Sequence, residues 1–214
     1  MISPRLLTEF IGTFFLVLII GLASSAAGGH APIAIGIGLV VLVYMGAHVS
    51  GAQYNPAVAI AVWLAGGQDV RRTVAYILAQ MAGAIGGALM VKLLLGSAMS
   101  VMPSGGHPLA SVLLAEGLAT FLLTLVILNV AMHPKTKGNA YFGLAIGGTV
   151  LACAYAFGPI SGGAFNPAVG LGPAVVSAIA GGSTTIGMAW VYLVGPILGA
   201  VLAVLVFRAQ VKGD

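Results

Sequence analysis

The sequence predicts an all-α membrane protein with six transmembrane helices and two re-entrant half-helices, arranged as an inverted repeat of three spans plus three spans. The composition, the lengths of the apolar runs and an internal repeat all support this fold class. Of the 214 residues, 60% are hydrophobic and only 6% are charged, whereas about a quarter of the residues of a soluble domain are charged. Most of the surface must therefore face lipid, and a net charge of +4 does not indicate a nucleic-acid partner.

Six apolar runs are long enough to cross a bilayer, because a hydrocarbon core of about 30 Å is spanned by about 20 helical residues. Two further apolar segments, 55–66 and 166–180, are too short to span and predict re-entrant helices. The six long runs lie near residues 6–26, 32–49, 73–95, 109–131, 140–158 and 187–207.

The lysine and arginine residues predict that both termini are cytoplasmic. With the N-terminus placed inside, seven cationic residues fall on the cytoplasmic side and Lys92 alone falls outside. Cytoplasmic loops of membrane proteins carry such an excess of positive charge. The seven residues are Arg5, Arg71, Arg72, Lys135, Lys137, Arg208 and Lys212.

An internal repeat divides the predicted single domain, 1–214, into residues 1–100 and residues 105–214. The segment "LLTEFIGTFFLVLI" in the first copy resembles "LLAEGLATFLLTLVI" in the second, which aligns Glu9 with Glu116. Each copy holds three spans, an odd number, so the second copy must be inverted across the membrane. Inverted repeats place their shared site near the midplane, between broken helices.

The segments "SGAQYNPAV" and "SGGAFNPAV" each predict the start of a half-helix at this shared site. Asn55 and Asn166 are suited to cap a helix N-terminus through their side-chain oxygens, and the proline that follows each is favoured at the first helical position. A helix of about 10 residues is about 15 Å long, which is half the thickness of the hydrocarbon core. The two N-termini should therefore meet at its centre.

Such a centre favours the passage of neutral polar molecules. Irregular backbone at that depth is tolerated only where it is buried in protein or lines a cavity, and its carbonyl groups can line the path of a solute. The two half-helix dipoles add positive potential, and the asparagine N–H groups can donate hydrogen bonds. This combination repels cations and accepts neutral solutes.

The repeated motifs, with Glu9 and Glu116 in the first and fourth spans and "WVYLVGPILGA" in the sixth, resemble the aquaporins of the major intrinsic protein family. The resemblance implies a passive channel for water and small uncharged solutes, and a homotetramer with one pore per subunit in the plasma or inner membrane. The family's pore asparagines fall on Asn55 and Asn166. The two glutamates should accept hydrogen bonds from the re-entrant loops, and His48 is a candidate partner for one of them.

Counting from the motifs as in that family places its selectivity filter at Ile35, Ala154, Gly163 and Val169. Water-strict members resemble a pattern of Phe, His, a small residue and Arg, and Val169 occupies the arginine position here. Each replacement removes bulk, polarity or charge, so we expect a wide and apolar constriction. Solutes such as glycerol, urea, hydrogen peroxide, ammonia and neutral metalloid acids should then pass.

Other functions fit the residues less well, although a water-selective channel is an open alternative. An ion-coupled transporter also uses inverted repeats and broken helices, but it needs charges inside the membrane, where only two carboxylates lie. His48 and Cys153 form no catalytic or metal-binding set, so we expect no enzymatic activity, metal or cofactor. Cys153 is expected to be a core thiol, and Gln53 is a candidate for a small polar role in lining the pore.

Overall fold

Eight α-helices are found in the part of the chain that the computed structural model describes, residues 3–26, 28–103, 105–181 and 187–212. Six of them are long and apolar enough to cross a membrane, and the other two are short, so the predicted fold class is confirmed. In chain order the helices are α1 Pro4–Ala26, α2 Ala31–Ser50, α3 Pro56–Leu64, α4 Val70–Leu95, α5 Leu109–Ile127, α6 Phe142–Ser161, α7 Pro167–Ile179 and α8 Val191–Lys212.

The helix ends differ from the predicted apolar runs where the chain stays apolar through a turn. Helix α8 starts four residues after the beginning of the predicted run 187–207 and continues five residues beyond its end. The turn before it is itself closed by a hydrogen bond from the Tyr192 N–H to the Ala189 carbonyl, at 3.1 Å. Helix α5 continues as a π-helical turn over Leu128–Met132. Hydropathy does not register either change, because it follows composition rather than backbone hydrogen bonding.

Within each repeat the first and third spans pack together through glycine. Helix α4 lies against α1, and α8 lies against α5. A Cβ atom at Gly83 would overlap the carbonyl oxygen of Phe10 in α1, and a Cβ atom at Gly199 would overlap the carbonyl oxygen of Gly117 in α5. Such close backbone approach is how small residues bring membrane helices together.

The two half-helices interlock the repeats. Helix α3 of the first repeat packs against α8 of the second, and α7 of the second repeat packs against α4 of the first. Helices α2 and α6 also contact each other across the boundary between the repeats. Buried side chains of both repeats, among them Tyr54 and Tyr192, therefore belong to one central cluster. This crossing brings the N-terminal ends of α3 and α7 to the centre of the bundle.

The outer faces of the spanning helices are apolar. Leu78, Leu93 and Leu114 each expose more than 60% of their surface. In water such side chains would form a large apolar patch, whereas lipid chains solvate them without cost. The pattern is that of a protein whose solvent is the bilayer.

Candidate pore

The two motif loops share one backbone conformation. Gly51 and Gly162 end α2 and α6 in the left-handed region, with φ of 92° and 88°, which glycine adopts without steric penalty. Tyr54 and Phe165 also have positive φ, 49° and 51°, and such a conformation costs a non-glycine residue about 1–3 kcal/mol. The contacts around the loops must therefore hold them in this form.

The motif asparagines cap the half-helices, as the sequence predicts. The Asn55 Oδ1 atom accepts a hydrogen bond from the Ala57 N–H at 2.9 Å, and the Asn166 Oδ1 atom accepts one from the Ala168 N–H at 2.9 Å. Both side chains are nearly buried. Because each oxygen is occupied by its own helix, each amide nitrogen faces away from that helix.

The amide nitrogens link the two repeats across the centre of the bundle. The Asn55 Nδ2 atom donates to the Phe165 carbonyl at 2.9 Å, and the Asn166 Nδ2 atom donates to the Tyr54 carbonyl at 2.8 Å. One N–H of each amide is used in this way. The second N–H remains as a donor beside the cavity that both asparagines line.

Glu9 fixes the first motif loop from inside α1. Its Oε1 atom accepts from the Ser50 hydroxyl at 2.6 Å and from the Gln53 N–H at 3.0 Å. Its Oε2 atom accepts from the Tyr54 N–H and from the Gln80 Nε2 atom, each at 2.8 Å. A fully buried carboxylate is tolerated when its oxygens are satisfied in this way.

Glu116 fixes the second motif loop in the same manner. It accepts from the Ser161 hydroxyl at 2.7 Å, the Ala164 N–H at 3.1 Å and the Phe165 N–H at 2.7 Å. The Tyr192 hydroxyl adds a bond to the Ser161 carbonyl at 2.7 Å. The glutamates are thus acceptors for the re-entrant loops, as the family resemblance implies.

Each glutamate acts on the pore through one strained residue. Tyr54 donates its N–H to Glu9 while its carbonyl accepts from Asn166. Phe165 does the same between Glu116 and Asn55. The carboxylate of each repeat therefore orients the asparagine of the other, and the two loops are held as one unit.

His48 is the partner of neither Glu9 nor Glu116 in the hydrogen bonds of these two carboxylates, so this expectation from the sequence is wrong. The His48 side chain is exposed on α2, and the Gln80 amide of α4 occupies the corresponding place beside Glu9. The second repeat has Pro196 at the position aligned with Gln80. The sequence could not reveal the Gln80 contact, because the two residues are 71 positions apart and Gln80 has no counterpart in the repeat.

All six residues that the sequence assigns to the pore line one cavity of about 330 Å³ between the repeats. The filter positions lie on three elements: Ile35 on α2, Ala154 on α6 and Val169 on α7, with Gly163 in the second motif loop. Side chains that the sequence did not single out complete the wall, including Leu16, Leu39, Leu123, Ile146 and Val150.

The cavity wall carries no charged side chain among its described lining residues. Its polar groups include the two asparagine amides, the Gln53 amide and the backbone of the motif loops, all of them uncharged. The N-termini of α3 and α7 both point to this region, and helix N-termini carry partial positive charge. The wall thus disfavours cations and offers hydrogen-bond donors to neutral solutes. Cys153 does not line the cavity and packs in the core beside Ala119 and Phe165.

Comparison with known proteins agrees with this geometry. The family model described as "Major intrinsic protein" matches residues 2–207. The chain is 36% identical to the rice aquaporin NIP1-4 over 207 residues, which is 91% of this chain and 72% of that protein. It is 30% identical to the aquaporin AqpM of Methanothermobacter marburgensis, with 97% of each chain covered.

A bacterial relative and a solved structure show the same likeness along nearly the whole chain. The chain is 36% identical to the glycerol uptake facilitator protein-like 6 of Lactiplantibacillus plantarum, with 98% of each chain covered. The X-ray structure of the aquaglyceroporin from Plasmodium falciparum superimposes with a TM-score of 0.86 at 25% identity, covering 99% of both chains. With paired asparagine caps, an uncharged cavity and a family match along almost its whole length, the chain belongs to the major intrinsic protein family and is a passive membrane channel for water and small solutes, not an enzyme.

Proposed function

We propose that the channel has a wide, apolar selectivity filter and conducts small neutral solutes larger than water. The observation that supports this most directly is the character of Ile35, Ala154, Gly163 and Val169, which are all uncharged and all line the cavity. Glycerol, urea, hydrogen peroxide, ammonia and neutral metalloid acids are the solutes that such a filter admits.

Selection in this channel rests on hydrogen-bond donors and helix dipoles rather than on a fixed charge. Val169 sits in the first turn of α7 and is almost fully buried, so it presents a short aliphatic surface where a guanidinium would fill the path. A solute then loses its hydration against an apolar wall and regains hydrogen bonds at Asn55 and Asn166. This favours neutral molecules and excludes ions through the cost of desolvation.

Permeability measurements on purified protein in lipid vesicles test the proposal. Stopped-flow light scattering should show water flux and, in addition, flux of glycerol and urea above that of empty vesicles. Flux should be linear in the gradient and unaffected by an uncoupler, as expected for a pore and unlike an ion-coupled transporter. Water flux without any flux of glycerol, urea or peroxide would leave a water-selective channel as the function.

Val169→Arg should lower glycerol and urea permeability by about tenfold or more, since pockets discriminate on this scale for changes of even one methylene. The arginine adds length and a fixed charge at the filter, so it reduces both the width and the apolar surface of the path. Ile179→Arg is the matched control, because Ile179 is 79% exposed at the far end of α7. Equal solute flux in Val169→Arg and the control would show that position 169 does not form the constriction.

We further propose that both termini are cytoplasmic, that residues 1–100 and 105–214 act as one domain, and that four copies assemble in the plasma or inner membrane with a pore in each. The cationic ends of the chain support this orientation. The Arg208 Nη2 atom donates to the Leu64 carbonyl at the C-terminus of α3, at 2.5 Å, which holds this cationic residue at the same end as the base of the half-helix. Labelling of single cysteines at each terminus in sealed cells tests the orientation, and the mass of the purified oligomer tests the assembly.

A further inference from the structure

The pore cavity meets a second cavity of about 700 Å³, which extends beneath the segment 133–139. Six residues line both cavities and therefore mark the passage between them, which we call the neck. Five of the six side chains are aliphatic, and Gln53 is the only polar one. The neck residues are Val43, Ala52, Gln53, Val58, Ile127 and Ile146.

The Gln53 amide is hydrogen-bonded to Gln68, a residue that lines neither cavity. The Gln53 Nε2 atom donates to the Gln68 Oε1 atom at 2.8 Å. Gln68 is anchored in turn, because its Nε2 atom donates to the Thr73 hydroxyl at 2.9 Å and to the Ala59 carbonyl at 3.1 Å. The reverse contact, from Gln68 Nε2 to Gln53 Oε1, is longer at 3.4 Å. Gln53 thus keeps one N–H and most of its acceptor capacity for a molecule in the neck.

An aliphatic constriction disfavours water, and dewetting is one way in which pores close. One amide that both donates and accepts offers a crossing molecule a pair of hydrogen bonds at this point. We propose that Gln53 is a specificity-determining residue of the neck, favouring solutes that both donate and accept hydrogen bonds, and that Gln68 positions it. The inference rests on the proposed channel function but concerns a different place from the filter.

Replacing Gln53 with leucine tests the first part in vesicles that contain equal amounts of protein. Leucine keeps the approximate size and removes both hydrogen-bonding groups, so water and urea permeability should fall about fivefold, the factor for one net hydrogen bond. The activation energy of water flux should rise, which a loss of folded protein alone would not cause. Gln53→His, which keeps a donor and an acceptor, should retain most of the wild-type permeability.

A double-mutant cycle tests the positioning role of Gln68. Gln68→Ala should lower permeability in the wild-type background and should have no further effect in the Gln53→Leu background, because it acts only through Gln53. An equal loss in both backgrounds would assign Gln68 a general structural role and overturn its part of the proposal. If Gln68→Ala does not fold, Thr73→Val removes one anchor of Gln68 and serves in the same cycle.

The outcomes separate this inference from the function on which it rests. A wild-type protein that conducts no water or solute would contradict both the channel function and the role of Gln53. A conducting wild type with an unchanged Gln53→Leu variant would overturn the role of the neck and leave the channel function intact.

Discussion

Glu116→Leu is expected to remove most of the folded protein. The change leaves the N–H groups of Ala164 and Phe165 without their acceptor in the centre of the bundle. The Ser161 hydroxyl loses its short bond and keeps only the long contact to the Phe157 carbonyl, at 3.4 Å. A buried donor that loses its partner costs about 1–3 kcal/mol, so the two N–H groups together cost a large share of the 5–15 kcal/mol that stabilises a typical protein.

The effect should extend from the second motif loop to the first repeat. Phe165 has a positive φ of 51°, and its carbonyl accepts from the Asn55 amide of the first repeat. Without Glu116, nothing at the Phe165 N–H opposes relaxation of this strained residue toward ordinary φ. Asn55 would then lose its orientation, and any protein that still folds should conduct poorly.

The measurement is the yield of monodisperse protein in detergent and its thermal unfolding midpoint, followed by water permeability of whatever folds. Glu116→Gln serves as the graded control, because one oxygen remains as an acceptor while the amide nitrogen faces a donor. We expect both the yield and the unfolding midpoint to be highest for the wild type, lower for Glu116→Gln and lowest for Glu116→Leu. A Glu116→Leu protein with the wild-type midpoint would show that the loop holds its shape without the carboxylate.

The parts of this site that sequence could predict are those encoded locally. An asparagine, a proline and an alanine in succession specify a capped helix start within four residues, so both half-helices and the roles of Asn55 and Asn166 as caps were predictable. The internal repeat then supplied the inversion, because the number of spans in each copy is odd. The pairing of each glutamate with a motif loop came from the family resemblance.

Contacts between distant segments were not predictable in the same way. Gln80 donates to Glu9 and Gln68 bonds Gln53, yet neither glutamine stands in a sequence pattern that separates it from an ordinary polar residue. His48 is close to the motif in sequence, but the geometry of α2 turns it outward. Closeness of His48 to the motif along the chain therefore suggested the wrong hydrogen-bond partner, because the periodicity of the helix determines which way a side chain points. The shape of the two cavities depends on how residues from α1, α2, α3, α5, α6 and α7 pack together, which no local sequence pattern specifies.

Gly199→Ala should destabilise the protein by about 1–3 kcal/mol, the usual cost of forcing an extra group into a packed interior. The new Cβ would overlap the carbonyl of Gly117 and approach the Phe121 N–H at 2.9 Å. These are backbone atoms of α5 and cannot rotate away, so α5 and α8 must separate. Valine at the same position should destabilise the protein further, because its larger side chain drives α5 and α8 further apart.

The matched control for this prediction is Gly148→Ala in α6, where an added Cβ would meet no atom within 4 Å. Alanine is favoured over glycine in a helix by about 1 kcal/mol, so this variant should be unchanged or slightly more stable. The same exchange is therefore expected to lower the unfolding midpoint at position 199 and to leave it unchanged or slightly raised at position 148, as measured by thermal unfolding in detergent. Similar midpoints for the two variants would show that close backbone contact between α5 and α8 does not determine stability. If only Gly199→Ala lowers the midpoint, the close contact between α5 and α8 is what stabilises the second repeat.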